Sequence, residues 1–193
     1  MNNTESMDNW PRPHQFTAEE YNWLAEVGIL DTTARRAELI EGEIIAMGPM
    51  GTRHRAVVDR LSQLLGRSVA GRAIVRAPGT FRLSTITEPQ PDLVLLRPDR
   101  DYRSTGFATG SDTLVVVEIS DTTFQYDRDV KIPLYARHGI PEVWIVDLER
   151  KRLHFFRSLK GGDYSDVSFT GEPGVTPIAA LAGLSVDLSG VLS

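Results

Sequence analysis

The sequence has no cysteine. That absence excludes disulfides and thiolate metal sites, and it fits a reducing compartment such as the cytoplasm. It has few histidines, and His14, His138 and His154 lack the paired spacing that builds a zinc site. No apolar run approaches the roughly 18 residues that mark a membrane-spanning helix. The stretch from Met1 to His14 lacks the apolar segment of a secretory signal. With Pro11 and Pro13 it reads as a polar, disordered lead-in over residues 1–15. No glycine-rich phosphate loop follows any expected strand, which argues against a nucleotide-binding enzyme. Positive charge is not in excess either: a net charge of −5 argues against a protein that coats polyanions at large.

What is present suits one soluble α/β domain over residues 16–193, since 193 residues with 41% hydrophobic content can bury a sizeable core. The charge is unevenly spread. Between Arg53 and Arg82 seven arginines face one acid, Asp59, giving that stretch +6 and the remainder −11. Such a stripe either attracts phosphate or is a solvated helix face.

Thr17 with Glu20 forms a capping box for a helix that stops at Gly28. Ala37 to Met47 reads as two short strands turning at Glu41-Gly42. A second helix is expected from Arg53 to Leu65, ending at Gly66. Its core stripe is Val57, Val58, Leu61, Leu64 and Leu65, with His54 on or beside the buried face. Short strands are expected at Ala73–Ala77 and Thr80–Leu83. Leu93–Leu96 and Leu114–Ile119 are apolar enough to be buried on both faces. Pro98 to Asp112 is a polar loop. A helix from Asp127 to His138 then leads into a strand at Val143–Val146, making a βαβ unit. Pro133 conflicts with a regular helix there, so the helix begins near Ile132 or kinks. From Leu153 onward a hairpin turning at Gly161-Gly162 and a loose C-terminal segment are expected.

Three polar residues stand out against these apolar runs. Asp92 opens the run before Leu93, Glu118 follows four apolar residues, and Lys131 follows in the helical segment. Carboxylates at the ends of buried strands are costly unless positive charge lies between them. A hard divalent ion such as Mg²⁺ (or Mn²⁺) takes oxygen ligands, which Asp92, Glu118 and the backbone carbonyl of Ile119 supply. A lysine alongside suits charge developing on phosphate. The bland alternatives are a backbone role for the Pro91-Asp92 pair, an ion-paired strand-end Glu118, and a helix start whose acids Asp127 and Asp129 favour the dipole. Tyr135, Trp144, Phe155 and Phe156 read as core.

These residues carry a resemblance. Pro91-Asp92, Glu118-Ile119-Ser120 and Lys131 look like the PD-(D/E)XK nuclease superfamily. More closely, the chain resembles the Uma-two family of restriction-endonuclease-like proteins in Phe16–Tyr21, Glu38–Glu43, His54, Gln90–Asp92, Val117–Ser120, Tyr126–Lys131 and Leu134–Asp147. The resemblance implies a mixed central β-sheet flanked by helices, Mg²⁺-type metal binding, and nucleic acid (DNA) as substrate. It implies metal carboxylates at Asp92 and Glu118, a catalytic Lys131, a further acid at Glu38, and His54 and Gln90 as neighbours. The superfamily lysine stands two residues after the glutamate, where this chain has Ser120. Lys131 lies thirteen residues on, as in the Uma-two pattern. A homodimer suits the cutting of two strands. The competing expectation is a nuclease-like module that binds nucleic acid or a protein partner without cutting.

Overall fold

The structure is a computed structural model and describes residues 11–30, 36–77, 81–99, 102 and 106–193. Helix α1 (Ala18–Glu26) has the expected capping box: Thr17 accepts from the Glu20 amide, and the Glu20 carboxylate accepts from the Thr17 amide. Strands β1 (Ala37–Ile40) and β2 (Glu43–Ala46) pair antiparallel. Their two-residue turn puts Glu41 and Gly42 at φ of 50° and 84°, the left-handed geometry that a tight hairpin requires. Helix α2 (Thr52–Ser68) follows, then β3 (Ile74–Arg76), β4 (Leu93–Leu96) and β5 (Thr113–Ser120). A helical crossover consists of α3 (Phe124–Tyr126), a π-helical turn at Asp127–Lys131, and α4 (Ile132–Arg137). Strands β6 (Glu142–Asp147), β7 (Arg152–Lys160), β8 (Asp163–Thr170), β9 (Val175–Pro177) and β10 (Ser185–Asp187) complete the chain.

The central sheet has six strands in the order β3-β4-β5-β6-β7-β8. Only β5 and β6 run parallel, because the helical crossover joins them; every other neighbouring pair is antiparallel. This is the expected mixed sheet flanked by helices. Strands β4, β5 and β6 are buried throughout, as their continuous apolar runs require. Side-chain alternation on β5 sends Val115, Val117 and Ile119 to a core shared with Leu61 and Leu65 of α2. Val116 faces the opposite way, into a core with Ile145, Phe156 and Tyr135 of α4. Helix α1 packs on β1 through Ala18, Tyr21, Ala37 and Leu39.

Several expectations need correction. Helix α2 runs through Gly66 to Ser68, because Leu65 and Val69 are both buried and packing outweighs the roughly 1 kcal/mol cost of an interior glycine. The crossover helix starts at Phe124, three residues before the expected Asp127, and passes through a π turn. Pro133 sits in the first turn of α4, where its missing amide costs nothing. Phe81 makes only an isolated parallel pairing with Ala108, not a strand; Pro78–Thr80 and residues 1–10 of the lead-in lie outside the described residues.

The C-terminal segment is not loose. Ile178, Leu181, Val186, Leu188, Val191 and Leu192 are buried in the α2-side core. The fully buried Glu142 anchors it: Oε2 accepts from the Ala180 amide at 2.9 Å, while Oε1 accepts from Trp144 Nε1 and Arg157 Nε, both at 2.7 Å. The Leu188→Ala substitution is therefore expected to lower unfolding free energy in urea by about 2–5 kcal/mol, the range for emptying a closed core position. A loss below about 0.5 kcal/mol, typical of a surface position, would mean the tail is not packed.

Candidate active site

Asp92 precedes β4 and pairs across to β5, so it stands beside Glu118 at one end of the sheet. The Ile119 amide donates to Asp92 Oδ2 at 2.8 Å, and His54 Nε2 lies 3.1 Å from the same oxygen. Arg36 donates to Asp92 Oδ1 at 3.0 Å. His54 reaches this point because it shares the buried stripe of α2 with Val57, Leu61 and Leu65. Arg36 and Glu38 are two residues apart on an extended chain, so both side chains point to the same side. Arg36 takes Asp92, and Glu38 takes Lys131.

Lys131 is the centre of the second cluster and is only 2% exposed. Its Nζ donates to Glu38 Oε1 at 2.8 Å and to Glu118 Oε1 at 3.1 Å, and lies 3.8 Å from Asp127 Oδ1. The Tyr135 hydroxyl donates a very short hydrogen bond to Glu118 Oε1. Asp127 is held in turn by Ser120 Oγ and Thr123 Oγ1, each 2.7 Å from Oδ2. The π turn makes this possible: the Ile132 amide bonds back five residues to Asp127, and the widened turn sends both Asp127 and Lys131 inward. Asp92, Glu118 and Lys131 border a cleft of about 210 Å³. The loop from Met47 to Gly51 forms one rim and Asp121 to Thr123 the other.

A family model described as "Putative restriction endonuclease" (Uma2) matches residues 18–189. The chain belongs to the Uma2 family. No curated protein matches it. It resembles the crystal structure of "a putative nuclease belonging to DUF820" from Anabaena variabilis, with a TM-score of 0.67, 17% identity, and coverage of 92% of this chain and 97% of that one. At that identity the likeness is one of fold. The type IIG restriction endonuclease BpuSI matches more remotely, with a TM-score of 0.35, 14% identity, and coverage of 55% of this chain and 11% of that one. The Uma2 chain thus has a nuclease family's fold, and its polar trio sits at one cleft.

The electrostatics of the Uma2 cleft are unbalanced. Five carboxyl groups (Glu38, Asp92, Glu118, Asp121 and Asp127) line the cleft with two fixed cations (Arg36 and Lys131), a formal excess of three negative charges before the proton on Glu118 is counted. Burial alone would raise the Asp92 carboxyl, but His54, Arg36 and the Ile119 amide outweigh it and hold it below the usual range. Glu118 goes the other way. Burial, with Asp127, Asp92 and Glu38 nearby, pushes it up to about 8 against the pull of Lys131. Burial likewise works against the Lys131 ammonium, yet Glu118, Glu38 and Asp127 together hold it well above an ordinary lysine. The two partners' shifts conflict only superficially. One ammonium is kept charged by several carboxyls, and the most crowded of those carboxyls keeps its proton.

This donor set fits a hard divalent cation. All candidate ligands are oxygens, the cleft carries an excess of negative charge, and Glu38 Oε2 is a buried acceptor with no hydrogen-bond partner in the structure. Among the described residues, no three potential ligands stand at metal spacing as they are, and both Asp92 oxygens and Glu118 Oε1 already accept hydrogen bonds.

Glu38, expected from resemblance, lies at Lys131. Gln90 contributes its backbone amide to Glu38 Oε1 at 3.1 Å, while its side chain turns away to Tyr21. Asp127 was expected only as a dipole-favoured helix start and is instead a buried neighbour of Lys131. Arg36 and Tyr135 were not singled out for the site at all. The arginines from Arg53 to Arg82 do not gather at the cleft: Arg60 bonds Ser189 O, Arg82 pairs with Glu88 and Glu19, and Arg76 covers the Tyr102 ring.

The raised Glu118 carboxyl fixes a sign. Between its unfolded value near 4.5 and about 8, the folded protein holds a proton that the unfolded chain has released, so this group's contribution falls as pH rises through that window. In a metal chelator, wild type compared with Glu118→Gln should lose relative melting temperature steadily from pH 5 to pH 8 and level off above. A difference that is flat over that range in calorimetry would contradict the buried, proton-holding Glu118.

Proposed function

We propose that this Uma2 protein is a Mg²⁺- or Mn²⁺-dependent endonuclease that hydrolyses phosphodiester bonds of DNA. The observation that carries the reading is the buried carboxyl excess at the cleft, with a lysine sealed among the acids. Asp92 and Glu118 would hold the ion, with the Ile119 carbonyl as a third oxygen. A divalent ion bound there supplies an activated water and offsets charge on the phosphate. The chain's own residues do the rest. Arg36 and His54 orient Asp92, and Arg36, the more exposed of the two, would give way as charge enters. Glu38, fixed by the Gln90 amide, aims the Lys131 ammonium at the edge of the cleft. Tyr135 holds Glu118 at one oxygen, and Asp127 keeps Lys131 charged. In this reading Lys131 would stabilise developing negative charge on the phosphate.

One feature favours the competing reading, a module that does not cut: Asp92 has no oxygen free of a protein donor. Plasmid nicking separates the two. With millimolar Mg²⁺ or Mn²⁺ the wild type is expected to nick supercoiled DNA. Asp92→Asn and Glu118→Gln should lower the rate by about 100-fold or more, the scale for losing a preorganised charge partner, while keeping the wild-type circular dichroism. Calorimetric Mn²⁺ titration should show saturable binding that Asp92→Asn abolishes. If wild type neither takes up the ion nor nicks, the metal-nuclease reading is lost.

A further inference from the structure

Outside the cleft, the outer half of the sheet carries an unusual surface. Register places Glu118 opposite Ile145, Ile145 opposite His154, and His154 opposite Phe169. One row of side chains thus crosses the sheet from the candidate catalytic glutamate to the edge strand β8. Three strand spacings make that row about 14 Å long. Its inner half, Glu118 and Ile145, is buried beside the crossover helix, so only the outer half at His154 and Phe169 is open to a ligand.

The outer part of the row is aromatic. The His154 ring lies between Phe124 and Phe169, with centroid distances of 4.8 and 5.4 Å. Phe124 directly follows Thr123 on the cleft rim, so the stack begins where the cleft ends. Phe169 is 59% exposed, a large apolar side chain left open on an edge strand. Burial holds the His154 imidazole below its usual range, with Arg152, Arg128 and Arg150 acting the same way against Asp147, so near neutral pH its ring is an uncharged member of the stack.

Three arginines frame these rings. Arg128 and Arg150 each lie 5.4 Å from the Phe124 centroid, and Arg152 lies 4.8 Å from that of Phe169. Arg128 is pinned by Asp129, and Arg150 by Asp147 and Glu149. Arg152 has no ion pair among the described residues. Pinned guanidinium planes extend a stacking surface, and an unpaired one attracts phosphate.

We propose that Phe124, His154 and Phe169, framed by Arg128, Arg150 and Arg152, form a stacking platform that binds unpaired nucleotides of the nucleic acid entering the cleft. The proposal rests on nucleic acid being the substrate. Aromatic faces take any base, and the guanidinium groups track the backbone, so the platform binds single strands without reading sequence. A second copy of the chain is a poorer occupant. The three arginines around the rings suit a polyanion better than a copy of the same basic patch.

The test is fluorescence anisotropy with a labelled oligo(dT) strand and a blunt duplex, in EDTA so that nothing is cut. Wild type should bind the single strand more tightly. Phe169→Ala and Arg152→Gln should each weaken that binding by about 10-fold and leave the duplex unaffected, and Trp23→Ala, an exposed aromatic on α1, should change neither. Variants that bind the single strand like wild type overturn the platform and leave the nucleic-acid reading standing. A wild type that binds neither oligonucleotide defeats the nucleic-acid reading itself. A loss of binding that tracks a dimer-to-monomer shift in light scattering overturns the platform in favour of an interface between copies. Photocrosslinking of 5-iodouracil strands to the unaltered protein needs no substitution. Adducts on the peptides bearing Phe124 or Phe169 support the platform, and adducts confined elsewhere overturn it.

Discussion

The ammonium of Lys131, 2% exposed, is the constraint on which this cleft depends. An isolated charge at that depth would cost many kcal/mol, and a lysine would give up its proton instead. It stays charged because three separate elements each send it a carboxyl: Glu38 from the β1 hairpin, Glu118 from the central sheet and Asp127 from the π turn. None of those acids would be tolerated there without it. The hairpin docks on the segment that leads into β4 through backbone bonds between Leu39 and Glu88, and Glu38 is a side chain it contributes to the interior. The buried ion network thus ties hairpin, sheet and crossover together. Such networks contribute more to a unique arrangement than to net stability.

The crossover shows how local chemistry serves that constraint. A regular helix from Phe124 to Arg137 would place a proline amide where a bond is needed. The π turn absorbs the mismatch by shifting the bonding to five residues just before Pro133. The widened turn is also what gathers Asp127 and Lys131 on the buried side. Ser120, which occupies the position where the wider superfamily has its lysine, is not idle. Its hydroxyl bonds Asp127 and thereby braces the lysine that arrives from the crossover.

The fold was largely legible because its signals are local. The Thr17 and Glu20 cap, the Glu41-Gly42 turn and the apolar runs within β4, β5 and β6 each follow from short-range sterics or burial. The site was legible where a polar residue interrupts an apolar run, as Glu118 does. It was not legible where the sequence offers a commoner explanation. Asp127 beside Arg128 and Asp129 looks like any acidic helix start, and only the π turn, which no pattern marks, turns it inward. Arg36 is an ordinary charged residue before a strand, and its role depends on Asp92, 56 residues away. Tyr135 sits on a core face, so its ring was predictable and its hydroxyl partner was not. The tail misled because its apolar residues are spaced by turns instead of a helix or strand period, yet they fill the face that α2 leaves open.

The state of Asp92 bears on how a cation would enter. Its oxygens already accept from Arg36, His54 and the Ile119 amide, and Glu118 holds a proton near neutral pH. In the proposed nuclease, taking up a metal at this cleft would be an exchange, not an addition: Glu118 would give up its proton and Asp92 one of its side-chain donors. The Ile119 amide belongs to the sheet and cannot move, so the displaced donor must be Arg36 or His54. Arg36 is the more exposed of the two. It stands at the entry to β1 and is 19% exposed, whereas the His54 side chain is 8% exposed and fixed by its place in the α2 stripe. In the proposed nuclease, Arg36 is accordingly the residue that offsets Asp92 when the cleft is empty and would yield to a divalent ion. The proton that Glu118 keeps lessens the negative excess that remains with Arg36 counted, so the folded chain tolerates the site without a cation.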